Sequence, residues 1–262
     1  MSDGQGRPAS TMSAERRYGI AISVALILGG IYWALTGATE GSKTEHSSYD
    51  VDGQTLLVEG SSATVEVRSG EGDQLKVERR FERNALGSDP KAEYKNGTLK
   101  LKNGSCGFMS FGCETTYVLT VPSDVQLTVR NESGKILASG LPGGAELKTS
   151  SGKIEAHDIG GTLRMESSSG RIEAAGLTAS SVTTETSSGD TELEFVSPPQ
   201  SIDSQASSGD VEIVLPEGSE TYKVDTVTSS GDNAPNVKAD ASSTRTITVK
   251  TSSGDVAVEY RR

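Results

Sequence analysis

The sequence predicts an all-β protein, a single-stranded parallel β-solenoid of the β-helix kind that follows an N-terminal transmembrane helix. A Ser-Gly turn recurs seven times, apolar and polar residues alternate on both sides of each turn, and an uncharged stretch lies near the N-terminus. A repeat period near twenty residues with strand chemistry is typical of a solenoid. The turn glycines lie 18 to 23 residues apart, at Gly134, Gly152, Gly170, Gly189, Gly209, Gly231 and Gly254.

Aligning the repeats on the turn glycine sorts the residues into columns. Each column should stack at about 4.8 Å if one coil of chain is one rung of a parallel sheet. The positions seven and five before the glycine, and two and four after it, are mainly apolar and alternate with polar positions at period two, which is the strand signature. Each coil is therefore predicted to be two short strands hinged at Ser-Gly, with right-handed winding as the default for parallel crossovers. The column seven before the glycine reads Leu127, Ala145, Leu163, Val182, Ile202, Val224 and Ile247.

The turn glycine is predicted to supply the positive φ that a sharp corner between two strands requires. In the sixth coil, Asn233 and Pro235 interrupt two of the apolar columns. Because proline cannot donate a hydrogen bond to a neighbouring strand, we expect a bulge or an outward loop there.

Residues 18–35 hold no charge and are long enough to span a bilayer as a helix. Arg16 and Arg17 precede them, so the arginine bias predicts a single-pass chain in the cell membrane, with a cytoplasmic N-terminus and extracytoplasmic repeats. A cleaved signal peptide is the alternative. Residues 1–17 then form a disordered cytoplasmic tail and residues 36–48 a flexible stalk.

Residues 49–121 keep the strand pattern but lose the Ser-Gly register. They predict an N-terminal β cap of irregular, partly antiparallel coils, before the regular repeats of residues 122–262. Cys106 and Cys113 lie close together in this cap and are predicted to form a disulfide in an exported domain, with a metal site and free thiols as the alternatives. The loop between them either plugs the open end of the solenoid or offers an exposed tip to a partner, through Phe108, Met109 and Phe111.

The residue after each turn glycine changes from basic to acidic along the chain. Arg171 is expected to pair with Asp190 across neighbouring rungs. The acidic members predict a solvated acidic edge, although aligned carboxylates also make a calcium ladder conceivable; the nonapeptide pattern of calcium-binding β-rolls is absent. These candidate calcium ligands are Asp190, Asp210, Asp232 and Asp255.

Composition and motifs together favour a protein that is not an enzyme. The net charge of −11, without a basic stripe, disfavours nucleic acid as a partner. His157 beside Asp158 is a conceivable acid–base pair, but a single histidine at a coil corner is typical of the surface, and no catalytic motif stands in a suitable context. We therefore expect no catalytic residues, no cofactor and no resident metal.

The anchor followed by SSGxIEA and SSGDVxI turns resembles a bacterial family of unknown function with β-strand repeats, whose members are labelled "putative adhesin". The resemblance covers roughly Tyr49 to Glu259. It implies a parallel β-solenoid on a bacterial surface with an adhesin-like or scaffold role in the cell envelope, toward a protein, glycan or cell-wall partner. The alternatives are an envelope-stress accessory that acts through another membrane protein, and a polysaccharide-active β-helix enzyme.

Overall fold

The protein consists of β-strands throughout the residues that the computed structural model describes, namely 41–51, 53–83, 87–105 and 114–261. The strand bounds, in chain order, are β1 Gly41–Asp50, β2 Thr55–Gly60, β3 Thr64–Gly70, β4 Gln74–Arg83, β5 Lys91–Lys95, β6 Thr98–Lys102, β7 Thr115–Pro122, β8 Gln126–Ser133, β9 Ile136–Ser139, β10 Gly144–Ser151, β11 Ile154–His157, β12 Thr162–Ser167, β13 Ile172–Leu177, β14 Ser181–Ser188, β15 Thr191–Phe195, β16 Ser201–Ser208, β17 Val211–Leu215, β18 Lys223–Ser230, β19 Asn233–Asn236, β20 Thr246–Ser253 and β21 Val256–Tyr260.

The strands form two stacked sheets, and each coil contributes one strand to each sheet. Sheet A has the order β1-β4-β7-β3-β9-β11-β13-β15-β17-β21-β19, and sheet B the order β18-β20-β16-β14-β12-β10-β8-β2-β6-β5. From β8 onward all pairings are parallel. We call one such pair of strands with its turn a rung. The predicted all-β fold of stacked parallel strands is confirmed.

The predicted columns stack in register and form the core. Ala145 pairs with Leu127 on one side and with Leu163 on the other. Side chains of these columns are buried along the stack, because each rung covers the apolar surface of the next. The column five before the turn glycine becomes polar midway, and there Thr184 donates its hydroxyl hydrogen to Ser204 Oγ at 2.7 Å.

The order of the last two rungs differs from their order in the chain. The rung β20–β21 lies between β16–β17 and β18–β19, so the sixth coil forms the end of the stack. The expected bulge or outward loop at Pro235 is wrong: Pro235 lies in an ordinary edge strand and pairs in register with Val258. Burial explains the order, since each aliphatic side chain taken from water contributes about 1.5–3 kcal/mol. The rung β20–β21 is the more apolar of the two, and in the inner position its aliphatic side chains are at most 1% exposed, namely Ile247, Val249, Val256 and Val258.

The N-terminal region contains a regular rung that the sequence did not reveal. Strands β2 and β3 pair in parallel with β8 and β9. Val65 pairs with Ile136, which places Ala63 at the position of a turn glycine. The predicted irregular cap over residues 49–121 is therefore wrong for this segment, and its missing Ser-Gly signature is explained by Ala63.

Beyond this rung lies the antiparallel closure that was expected. Strand β1 pairs antiparallel with β4, β4 with β7, and β5 with β6. The stalk predicted for residues 36–48 is wrong from Gly41 onward, because β1 pairs with β4 along its whole length. The inward face of β1 supplies Tyr49, whose ring centroid lies 5.6 Å from that of Tyr94.

Several predictions concern residues outside the described ones. These are the cytoplasmic tail 1–17, the membrane span 18–35, the first residues of the stalk, and the loop with Cys106, Cys113, Phe108, Met109 and Phe111. Among the residues that the structure describes, no helix is both long and apolar enough to cross a bilayer.

Candidate binding face

The outer face of sheet A carries a row of glutamates that the solenoid repeat aligns. Each lies three residues after a turn glycine, and consecutive members are direct partners in neighbouring parallel strands. The repeat places them there because outward positions alternate with the buried columns on either side. We call this row the Glu column: Glu155, Glu173, Glu192 and Glu212.

A trough of about 260 Å³ runs beside the Glu column. Its other wall is formed two residues further along each strand, by His157, Glu194 and Val214. Ala175 lies between them and is small, and the register shifts between Ala174 and Leu177, so the wall is interrupted at β13. The trough is thus an open surface feature with carboxylates on both walls.

Basic residues neutralise the N-terminal end of the Glu column. Lys135 and Lys153 each place Nζ 2.8 Å from a carboxylate oxygen of Glu155. Burial opposes ionisation of Glu155, but the hydrogen bonds from both lysines outweigh it and lower its pKa. Hydrogen bonds to Glu155 and Glu173 raise the pKa of Lys153. This end of the column is therefore a stable ionic network.

Arg171 is the last basic residue in the row that directly follows the turn glycines. Its guanidinium lies 2.7 Å from Asp190 and 3.1 Å from Glu192, which confirms the expected Arg171–Asp190 pair. Further along the stack, Arg261 pairs with Glu194. Among the described residues, Glu212 makes no ion pair. The charge of this face consequently changes from balanced to negative toward the C-terminal end of the stack.

The four predicted aspartates lie together along the turn edge. The backbone N–H of Asp210 donates to Asp190 Oδ1 at 3.2 Å, that of Asp255 to Asp210 Oδ1 at 2.8 Å, and that of Asp232 to Asp255 Oδ1 at 2.8 Å. Their spatial order follows the rungs, so Asp255 precedes Asp232. Each N–H donor offsets part of the repulsion between stacked carboxylates. Within the described residues, no group of three or more His, Cys, Asp or Glu side chains could hold a metal ion, and the calcium ladder stays a prediction.

A buried polar column supports this edge, and the repeat alignment missed it. It lies three residues before the turn glycine, where the chain repeats Asn, Thr, Ser, Thr, Ala, Thr and Thr. Thr228 Oγ1 donates to Gly254 O at 2.9 Å and Ser167 Oγ to Gly152 O at 3.3 Å. At the first turn, Asn131 Nδ2 donates to Ala63 O at 2.8 Å. These bonds tie the turns concerned to their neighbours, whereas Thr149 and Thr186 of the same column have no hydrogen-bond partner for Oγ1 among the described residues.

His157 and Asp158 both lie on the outer surface. Both side chains are exposed, and Asp158 adopts a positive φ of 54° at the corner after β11. His157 lines the trough, opposite the Glu column. It is a wall residue of the candidate binding face, and the alternation of the strand already places it on the outer surface.

The turn glycines serve close packing as well as backbone conformation. Five of the seven have φ between +111° and +148°, as predicted, but Gly152 and Gly170 lie outside the positive-φ region. A Cβ on Gly152 would lie 1.9 Å from Gly134 O, and one on Gly170 would lie 1.8 Å from Gly152 O. At these two turns glycine is required because the neighbouring carbonyl approaches the α-carbon.

Comparison with known proteins gives a family for most of the described chain. The model of the family described as Toastrack DUF4097 matches residues 54–197 and 143–259. Among curated proteins, none matches.

The chain is similar to solved structures from Bacteroides and Parabacteroides. They include a "putative adhesin" from Bacteroides fragilis, with 14% identity over 83% of this chain and 95% of that chain and a TM-score of 0.47. A "putative adhesin" from Parabacteroides distasonis shows 13% identity over 84% and 97% of the two chains, with a TM-score of 0.47. A "putative lipid binding protein" from the same organism shows 12% identity over 84% and 97%, with a TM-score of 0.40.

Proposed function

This chain belongs to the Toastrack DUF4097 family, and we propose that it is a non-enzymatic, membrane-anchored extracytoplasmic solenoid that binds a positively charged partner. The binding surface in this proposal is the acidic face, which we define as the C-terminal part of the trough with the adjoining aspartate edge. It comprises Glu192, Glu194, Glu212, Asp190, Asp210 and Asp255.

The observation that carries the proposal is the imbalance of charge along one rigid face. Lys135 and Lys153 pair with the carboxylates of the first rungs, Arg171 with Asp190 and Glu192, and Arg261 with Glu194. The remaining members of the acidic face, Glu212, Asp210 and Asp255, make no ion pair among the described residues. Asp190, Asp210 and Asp255 each accept a backbone N–H at Oδ1. Carboxylates fixed at the rung spacing of about 4.8 Å favour an extended partner with repeated basic groups.

The magnitude of each contact is small, so several must act together. At a separation of 4 Å, two unit charges attract by about 1 kcal/mol in bulk water and by about 4 kcal/mol near a protein surface. Such contacts weaken with added salt, because the screening length falls to about 8 Å at physiological ionic strength. A flat face with repeated single charges therefore supports moderate, salt-sensitive binding of a basic protein segment or an amine-bearing cell-wall polymer.

Open exposure of the carboxylates favours binding over catalysis. A general acid of the glycosidase kind needs a carboxyl whose pKa is raised by burial. In the Glu column, the pKa of Glu155 is lowered, since the two lysine hydrogen bonds outweigh its burial. Fixed negative charge is a property of an ion-binding surface.

Binding is tested with the full chain in detergent and a fluorescent octalysine peptide, followed by anisotropy at two salt concentrations. Replacing Glu192 and Glu212 with glutamine should weaken binding by about 5- to 10-fold, from about 0.5 kcal/mol or more for each lost charge. The matched control replaces Glu185 and Asp203 with their amides, in the same two rungs on the opposite sheet. Equal weakening by the two variants, or binding that salt does not change, would contradict a specific acidic face.

The proposed location has a separate test in intact cells. Ser150 is exposed near the end of β10, whereas Ser10 belongs to the predicted cytoplasmic tail. A membrane-impermeant maleimide should label the S150C variant and not the S10C variant, with the unsubstituted chain as the background for Cys106 and Cys113. Labelling of S10C alone would place the repeats in the cytoplasm and refute the location.

A further inference from the structure

The terminal rung leaves one edge strand of sheet B open. In the rung before it, Ile247, Val249 and Thr251 are buried by neighbours on both sides. Their partners in β18 are Val224, Thr226 and Thr228, which are only half-buried because nothing among the described residues stacks on their outer side. Val227, on the outer surface of the same strand, is 48% exposed. Strand β18 thus has both exposed apolar side chains and a backbone edge that pairs with no strand among the described residues.

The free backbone groups of this edge follow from the pairing with β20. Lys223 N–H donates to Arg245 O, so the backbone groups of alternate residues, starting with Lys223, point toward β20. Those of Val224, Thr226 and Thr228 therefore point away from the stack. At the start of the strand the loop after β19 covers the edge, since Tyr222 N–H donates to Lys238 O. Beyond Tyr222, no backbone partner for these outward groups lies among the described residues.

The edge of the other sheet is protected in the same rung. Val256 N–H donates to Asp232 O, so in β19 the backbone groups of Asn233 and Pro235 face outward. Pro235 has no N–H to offer there, which is a known way to block an edge strand. The side-chain amide of Asn233 also donates to Thr226 O at 2.9 Å. A carbonyl accepts two hydrogen bonds, so Thr226 retains a free N–H and one acceptor position.

We propose that residues 224–228 of β18 pair antiparallel with the same residues of a second copy of this chain, about a two-fold axis at Thr226. Thr226 then faces its own counterpart, and Val224 faces Thr228 of the second copy. These are the residues whose backbone groups point outward, so each opposed pair exchanges two hydrogen bonds. The contact continues the rung-on-rung stacking that already joins the other strands of sheet B. Sheet A does not take part, because Pro235 in its edge strand β19 has no outward N–H to donate.

The side chains of the strand suit the same register. On the outer surface, Val227 faces Asp225 of the second copy, and Lys250 lies directly beside Val227 in the adjacent strand. Two strand spacings of about 4.8 Å separate Lys250 from that Asp225, a span that the two side chains bridge. Val227 becomes covered between them. The two solenoids then extend in opposite directions from a tip-to-tip contact, and this pairing does not depend on the acidic face.

The first test measures the mass of the full chain in detergent by sedimentation at about 1 to 100 µM. We expect a concentration-dependent dimer that T226P abolishes, because proline removes an outward N–H that the solenoid does not use. V227D should also abolish it, because the new carboxylate faces Asp225 of the second copy. V196D should not, although Val196 is exposed to a similar degree, 44%, away from this edge. Unchanged melting temperatures show that the variants fold. A chain that stays monomeric, or a dimer that T226P leaves intact, overturns the proposal.

The second test fixes the register by disulfide trapping. Opposed hydrogen-bonded residues have α-carbons about 5.5 Å apart, within disulfide range. T226C should therefore yield cross-linked dimers upon oxidation. T228C should not, because the register separates the two copies of that residue by about four residues, near 13 Å. Equal cross-linking of both variants, or of neither, refutes the pairing about Thr226.

Discussion

Replacing Gly170 with alanine tests the close approach between neighbouring turns. The new Cβ would lie 1.8 Å from Gly152 O, whereas real contacts of this kind stay above 3.0 Å, so the rungs must separate by about 1.2 Å at this point. Two hydrogen bonds hold these turns together at 3.0 Å, Ser169 N–H to Ser150 O and Ile154 N–H to Arg171 O. A separation of that size breaks both.

The expected loss of stability follows from these bonds. Two backbone hydrogen bonds contribute about 1–3 kcal/mol, and overpacking adds about 1–3 kcal/mol. We therefore expect G170A to lower the free energy of unfolding by about 2–6 kcal/mol and the melting temperature by about 4–24 °C. Thermal unfolding of the full chain in detergent, followed by circular dichroism, measures this change.

Gly140 provides the matched control. It has φ of +60°, and a Cβ there would meet nothing within 4 Å, so G140A tests backbone conformation without a clash. Its expected cost is about 1–2 kcal/mol. If G140A destabilises the protein as much as G170A, the close-approach explanation of Gly170 is refuted.

Three further changes test the ionic, aromatic and buried polar contacts. The pKa values of Glu155 and Glu166 are lowered in the folded protein. Their contribution to stability is therefore present above pH 4.5, the ordinary value, and is lost as the pH falls through the folded-state pKa values. E155Q should flatten this acid dependence of the melting temperature. Burial raises the pKa of Tyr117 to about 12, so stability should fall between pH 10 and 12, a loss that Y117F, measured by thermal unfolding, removes. T184V should cost about 1–3 kcal/mol by leaving buried Ser204 without its donor, and T184V/S204A should cost less, which denaturant unfolding distinguishes.

Residues that the repeat alignment grouped were predicted well, because a strand of period two leaves a direct trace in the sequence. The Glu column was overlooked although it recurs three residues after four turn glycines, and only the fold shows that its members are neighbours on an open face. The rung at β2–β3 was missed because Ala63 replaces its glycine. Among the described residues, no Ser-Gly turn stacks on the outer side of Ala63, so no close carbonyl there requires glycine at this position.

The sequence by itself determined the rung, since apolar columns and the turn glycine specify which residues lie inside, which lie outside and where the chain turns. Only the tertiary structure decided the order in which rungs stack. The fifth coil, the sixth coil and the last coil share one register, so Ile247 fits equally well beside Ile202 or beside Val224. Local pattern cannot distinguish these neighbours. The total apolar surface buried decides the order: the apolar last rung lies inside, and the more polar rung with Pro235 lies at the end of the stack.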